Sequence, residues 1–317
     1  MPMKLLRQNW IAWALAGILA GPLALTAPTA AHAKLTEWLT VQDGQFTRAN
    51  GTAIEGAVAK GVTISKYQNR AGSIDWDRAA ASGVSFAMIR LGYHNDLDPY
   101  FDENMQEAIN HGIRTGVFLY TQAMDEETAR EEARFVLDKV KDYPLSYPIA
   151  YDVESQYLLD MGKTPLEITR QINAFCQVIA EAGYRPIVYG NHQWLTTCMD
   201  PAQIPYDIWY ARYETSVNEF PNRTIWQYTD AGLVDGIPGE VCIEIAFSDY
   251  TGLFPGTGWR QINGAWYYYQ DYVKQTGWLN LDETWYYLKE DGSMVSGGIW
   301  EIEGVSYRFD EHGVWVP

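Results

Sequence analysis

The stretch Tyr147-Pro148-Ile149-Ala150-Tyr151-Asp152-Val153-Glu154 reads as a short buried strand that ends in two acids. Strand alternation puts Asp152 and Glu154 on one face and Val153 on the other, with the acidic Cα atoms roughly 6.5–7 Å apart. Similar strand-like runs lie on both sides: Val62–Ser65, Phe86–Leu91 and Thr115–Tyr120 before it, and Pro186–Tyr189, Ile208–Ala211, Thr224–Tyr228 and Val241–Ala246 after it. Between the earlier runs, Phe101–His111, Glu126–Lys141 and Pro165–Ala182 carry apolar residues at three- and four-residue steps and predict helices. Strand–helix alternation of this kind predicts a parallel α/β barrel, with a less regular final part where helices thin out and spacings shorten. In a barrel the C-terminal strand ends form the substrate cleft, so the two acids are expected to face it. Close carboxylates suit glycosidic cleavage, which needs one protonated acid and one negative charge. The same two residues also fit a solvated strand end.

Composition restricts the rest. A chain of 317 residues with 47% hydrophobic content can bury one large domain and carry an accessory unit. Residues 1–33 read as a signal peptide: Lys4 and Arg7, an apolar stretch from Trp10 to Leu25, and Ala31-His32-Ala33 as a small-x-small cleavage site. The alternative is a retained membrane anchor, although Gly21-Pro22 interrupts the run. Residues 34–60 form a polar lead-in with turn signals at Asp43-Gly44 and Asn50-Gly51, enough for one hairpin. The net charge of −17 argues against nucleic acid as a partner and gives no long-range attraction to an anionic bacterial wall. Of three cysteines, Cys176 and Cys198 sit in consecutive helical segments where a bridge is open, and Cys242 lies on the last strand. The histidines (His32, His94, His111, His192 and His312) have no metal-ligand spacing, and no metal or cofactor is expected.

From residue 258 the character changes. Gly258-Trp259 with Trp266-Tyr267-Tyr268 is followed by Gly277-Trp278 with Trp285-Tyr286-Tyr287, then by Gly298-Ile299-Trp300 and a degenerate unit over Val305–Pro317. A period of about 20 residues implies stacked hairpins, because one such unit cannot bury its own aromatic face.

Residues 61–252 resemble glycoside hydrolase family 25, the N-acetylmuramidase lysozymes. The matching runs are Gly61–Gln68 with Ile74-Asp75-Trp76, Phe86–Tyr93, Asp98–Phe101, Gly116–Tyr120, Tyr151–Glu154, Trp209–Tyr213 and Trp226-Gln227-Tyr228. The resemblance implies an irregular, flattened α/β barrel of about eight strands and five helices. It implies that Glu154 is the catalytic acid and that Asp152 stabilises the transition state or positions the substrate's acetamido group. The reaction implied is hydrolysis of the β-1,4 bond between N-acetylmuramic acid and N-acetylglucosamine. Tyr93, Tyr120, Tyr151, Tyr189 and Trp209 would line the groove, although each equally fits barrel core. Arg90 and Arg212 would sit near the cleft, binding substrate or pairing with the acids.

Two positions depart from the family pattern. Thr63 and Cys242 stand where the family carries Asp, which removes two of four site carboxylates. Fewer neighbouring charges lower the pKa expected for Glu154. Glu244 or Asp249 is placed to compensate, and the alternative is an impaired, wall-binding pseudoenzyme. The segment 258–317 resembles choline-binding, or cell-wall-binding, repeats. That resemblance makes Trp259, Trp266, Tyr268, Trp278, Trp285, Tyr287 and Trp300 candidate walls of aromatic boxes for a quaternary ammonium. The protein expected is a secreted, wall-associated monomer. Its partners would be bacterial peptidoglycan and choline-bearing teichoic acid or another wall carbohydrate.

Overall fold

The computed structural model describes residues 39–42, 45–48, 51–213, 220, 222–250, 257–262, 264–270 and 273–317. The leader expected over residues 1–33 lies outside the described residues. In the lead-in, β1 (Leu39–Gln42) and β2 (Gln45–Arg48) pair antiparallel as the expected hairpin.

Eight strands then close a barrel. In chain order they are β3 (Ala59–Ile64), β4 (Val84–Tyr93), β6 (Arg114–Tyr120), β7 (Ile149–Asp152), β8 (Pro186–Asn191), β9 (Asp207–Ala211), β10 (Arg223–Gly232) and β11 (Val241–Ala246), with the short β5 (Asp96–Leu97) folded back on β4. β3 pairs with both β4 and β11, which seals the ring. The less regular final part takes the form of a reversal: β11 runs antiparallel to both β10 and β3. The connection from Gly232 to Val241 is too short for the crossover that parallel strands require, so the chain turns back. The N-terminal residues of β11 therefore lie at the same end of the barrel as the C-terminal residues of its parallel neighbours.

Among the described residues the α-helices are α1 (Lys66–Ala71), α2 (Trp76–Ala81), α3 (Phe101–Asn110), α4 (Glu126–Val140), α5 (Gln156–Asp160) and α6 (Pro165–Glu181). The three helices read from periodicity are present, each ending one residue earlier than expected. The short α1, α2 and α5 were not read. They are too brief for apolar periodicity to register, and α1 and α2 start at side-chain caps from Ser65 and Asp75. Thr164 and Glu167 form a capping box at α6 with Pro165 in its first turn.

Alternation along each strand splits the core into two layers. Phe86, Met88, Ala150, Ile187, Trp209 and Ile225 fill the barrel interior. Ile89, Leu119, Tyr151, Val188 and Tyr210 pack outward against the helices. Gly61 is required on β3, because a Cβ there would lie 2.3 Å from the ring of Phe86. Cys176 and Cys198 both belong to the outer layer, and all three cysteines are free thiols, so the open bridge is not formed.

The tail forms three small antiparallel units. They are β12 (Gly258–Ile262), β13 (Ala265–Gln270) and β14 (Val273–Lys274); β15 (Gly277–Leu281) and β16 (Thr284–Leu288); and β17 (Gly298–Ile302), β18 (Val305–Phe309) and β19 (Trp315–Val316). The first hairpin docks on the barrel. The guanidinium of Arg260 is buried, donates to the Leu145 carbonyl at 2.6 Å and lies 4.4 Å from the Tyr269 ring centroid. Gly183, at φ +87°, has the Gln261 carbonyl against it with no room for a Cβ. These residues precede β7 and β8, so the repeats attach at the end of the barrel opposite Asp152 and Glu154.

Candidate active site

β7 ends at Asp152, and Glu154 follows two residues beyond the strand with its alternation kept, so that both acids reach the barrel mouth. Val153 between them is fully buried in the outer layer. The Asp152 carbonyl accepts from Thr121 N at 2.9 Å, Asp152 Oδ1 accepts from Glu154 N at 3.1 Å, and the Tyr120 hydroxyl donates to the Glu154 carbonyl at 2.8 Å. The backbone around the pair is thus fixed from both flanks. Glu154 Oε1 accepts the backbone N–H of Asn191 at the end of β8, and the Asn191 side chain also bonds to it. Asn191 Oδ1 caps the following π-helical turn by accepting from Trp194 N at 3.0 Å, which orients the amide.

Both acids sit deep in the cleft yet keep part of their surface open. Burial raises both pKa values. For Glu154 burial is the largest effect and the charge of Asp152 adds to it, against the opposing hydrogen bonds from Asn191. For Asp152 burial outweighs the Glu154 N–H and the positive charge of Arg90. The missing flanking acids lower the Glu154 value only relative to a site that carries them, and against the ordinary carboxylate value the net result is a rise. Removing water from the carboxyl is the stronger influence. An acid held protonated beside a second carboxyl is the arrangement that general-acid cleavage requires.

The other expected site residues divide. Tyr93, Tyr120, Tyr189 and Arg90 reach the mouth and stay partly exposed, with the Tyr93 and Tyr120 rings 5.5 Å apart. Tyr151 does not line the groove. It is one residue out of phase with Asp152, fully buried, and stacked on Phe175 at 3.9 Å. Trp209 points inward but lies beneath the cleft, only 1% exposed and edge-on to Tyr189 at 4.8 Å. Arg212 continues the outward phase of Tyr210 and donates to its hydroxyl at 3.2 Å. Asp249 is carried by the antiparallel run of β11 to the far end of the barrel, 4.0 Å from Arg114 at the start of β6. It has no route to the acids.

Thr63 and Cys242 face each other across β3 and β11 at the mouth. Glu244 lies one pleat deeper, fully buried, accepting from Thr63 Oγ1 at 2.6 Å and from Gln227 Nε2 at 3.1 Å. Gln227 Oε1 accepts the hydroxyls of Tyr189 at 3.1 Å and Tyr213 at 2.9 Å. Burial lifts the Glu244 pKa to about 8.

Asn191, Tyr213 and Gln227 were not singled out from the sequence. Gln227 carried a signal, as a lone amide within the apolar run Thr224–Tyr228. Glu132 carried one too, since it falls on the apolar face of α4. It is fully buried and bonded to His94 Nδ1 at 2.7 Å, Thr121 Oγ1 at 2.6 Å and the Tyr151 hydroxyl at 2.6 Å.

In the tail, each hairpin turns aromatics toward the back of the next. Trp259 meets Tyr268 of its own hairpin and Tyr286 of the following one, at 5.2 and 4.9 Å. Trp278 meets Trp285 and Tyr287 of its own hairpin at 6.2 and 5.3 Å, then Tyr307 and Trp315 of the third unit at 4.8 and 6.1 Å. Tyr286, Tyr307 and Trp315 were not among the expected walls. Trp266 and Trp285 remain exposed at the edge of these clusters. Trp300 differs: the Lys289 ammonium lies 5.2 Å over its ring.

Comparison with known proteins agrees with this division. Residues 62–237 match the model of glycosyl hydrolases family 25, and residues 257–271 and 276–294 match that of a putative cell wall binding repeat. Lysozyme M1 of Streptomyces globisporus is 26% identical over 260 residues, covering 72% of this chain and 87% of that protein. The uncharacterized protein YegX of Escherichia coli strain K12 is 28% identical over 190 residues, covering 57% of this chain and 66% of YegX. The structure of the modular autolysin LytC from Streptococcus pneumoniae aligns with a TM-score of 0.57 at 29% identity, over 65% of this chain and 51% of that one. The chain thus spans about half of LytC and just under two thirds of YegX.

Proposed function

The chain belongs to glycosyl hydrolases family 25, and from that premise we propose that it is a secreted peptidoglycan hydrolase. It cleaves the β-1,4 bond between N-acetylmuramic acid and N-acetylglucosamine while its C-terminal repeats hold it on the wall. One observation carries this reading: Glu154 is a partly open acid whose burial and whose neighbour Asp152 both keep its proton on. Glu154 protonates the glycosidic oxygen as the bond from that oxygen to the anomeric carbon breaks. Asp152 stabilises the oxocarbenium charge that develops there, and water completes the hydrolysis. Arg90 acts on Asp152 by charge, and Tyr93, Tyr120 and Tyr189 offer faces to the sugars.

The repeats take choline or another wall group in boxes built around Trp259 and Trp278, where indoles can hold a quaternary ammonium and so attach the chain to an anionic wall that its net charge does not draw it to. A second reading, an impaired wall binder, rests on Thr63 and Cys242 standing where the family has Asp.

Release of reducing sugar from purified peptidoglycan decides between them. Wild type is expected to hydrolyse, and Glu154→Gln to lose about 10²–10⁴-fold, the usual contribution of a positioned general acid. Equal rates in the two proteins would remove Glu154 from the role. Activity seen only when Thr63→Asp and Cys242→Asp are combined would establish the impaired reading.

A further inference from the structure

We propose that Glu244, held by Thr63, is a positioning residue that fixes the direction of the hydrogen bonds on the cleft floor. This inference rests on the hydrolase reading of the same site.

The argument starts from where protons are committed. Tyr189 and Tyr213 both feel the charge of Glu154, so their hydroxyls lie in its electrostatic neighbourhood. A hydroxyl that donated to the Glu154 carboxylate would stabilise its charged form and make it a poorer acid. Neither does so. Both protons go to Gln227 Oε1, and that amide is turned this way because its Nε2 donates to Glu244 Oε1. Thr63 Oγ1 donates to the same Glu244 oxygen and holds the carboxyl in place. An amide has a donor end and an acceptor end, and an acceptor at position 244 selects which end meets the tyrosines. The two positions that depart from the family pattern are thereby joined into one device. Thr63 supplies a donor where an acid would have repelled Glu244, and Cys242 across the pair adds no charge beside it.

Charge on Glu244 is not what the device needs. Glu244 Oε2 is buried with no partner, and an ionised carboxylate would leave that oxygen unpaired at high cost. An amide with its carbonyl in the place of Oε1 does the same work.

The test compares Glu244→Gln, Glu244→Leu, Gln227→Leu and Thr63→Val on a soluble peptidoglycan oligosaccharide, reading kcat, KM and the alkaline limb of the pH profile. Glu244→Gln is expected to stay within about twofold of wild type in kcat. Glu244→Leu and Gln227→Leu are each expected to lose about tenfold in kcat with KM within twofold, and to move the alkaline limb about one unit toward acid. The combined Glu244→Leu/Gln227→Leu variant should be no worse than the weaker single, since the two act as one chain. Thr63→Val, which keeps shape and removes only the hydroxyl, should shift the limb in the same direction and serves if the leucine variants do not fold. A wild-type pH profile in Gln227→Leu and Thr63→Val, beside inactive Glu154→Gln, overturns the positioning role and leaves the hydrolase reading standing. Equal rates for wild type and Glu154→Gln overturn both.

Discussion

The barrel mouth and the aromatic tail break the ordinary rule of burial in opposite directions. At the mouth, carboxyls lie where solvent is largely excluded, and the closed barrel makes that possible because eight strands surround the cleft floor. In the tail, tryptophans stand in solvent: Trp266, Trp278 and Trp285 are 42%, 37% and 40% exposed. A two-stranded hairpin has nothing behind it to bury them, so each face waits for the next unit or a ligand. The barrel instead consumes aromatics as filling, Trp209 in its interior and Tyr151 in the layer beneath the helices, which is why both, expected to line the groove, are core. The same residue type means burial in one region and binding in the other, and the thickness of the scaffold decides which.

If the two regions are independent devices, each can be broken alone. After Glu154→Gln, Asp152→Asn carries the largest expected effect, a loss of about 10²–10³-fold in kcat, as for removal of one preorganised electrostatic partner. Its second signature has a definite sign. The charge of Asp152 raises the pKa of Glu154, so its removal lets Glu154 ionise earlier, and the alkaline limb moves toward acid. Retention on choline-agarose should be unchanged. Trp278→Ala is the mirror experiment. This indole touches rings of two successive units, so retention should be lost and the tail destabilised by about 2–3 kcal/mol, below the usual cost for a fully buried Trp because part of it is exposed. Hydrolysis of a soluble oligosaccharide should stay within twofold. A fall in both activities would mean that the docking through Arg260 couples the regions.

The eight barrel strands and three longer helices were legible because periodicity and run length are local properties. Shortened spacings marked the last part as less regular, but the antiparallel sense of β11 was not legible, because β10 runs on past Tyr228 to Gly232 and only then leaves too short a connection for a crossover. That one reversal placed Asp249 at the wrong end and Glu244 beneath the mouth. Asp152 and Glu154 were legible from alternation, whereas Asn191 and Gln227 were not, because each acquires its role only from a partner on another strand. In the tail the repeat was legible from glycine–tryptophan spacing. Tyr286, Tyr307 and Trp315 became visible only once the hairpins stacked.

Stability against pH offers a smaller test of the buried-acid half of the contrast. The folded pKa of Glu244 is about 8, above its ordinary 4.5. The folded protein therefore holds this proton over a range where the unfolded chain has released it. Stability from this group is fully present below about pH 4.5 and is lost as pH rises through about 8. Glu244→Gln cannot ionise, so its melting temperature should fall less than that of wild type between pH 5 and about 8. Parallel melting curves across that range would show that Glu244 ionises freely in the fold.

The smallest expected effect concerns the exposed-aromatic half. Trp300 was expected to wall a box, but Lys289 already lies over its ring, and its indole N–H donates to the carbonyls of Ser296 and Gly297 at 3.3 Å. A quaternary ammonium would have to displace a cation the protein supplies itself. At an exposed site that contact is worth about 0.5–1 kcal/mol, or roughly two- to fivefold in affinity. Trp300→Ala should therefore leave choline retention within twofold, while Trp285→Ala, whose indole is open, should lower it several-fold. Lys289→Met separates the causes. If the lysine is what closes the Trp300 face, this variant should gain choline affinity by up to about fivefold, and the gain should vanish when Trp300→Ala is added. A gain that survived without Trp300 would locate the effect of Lys289 elsewhere on the module.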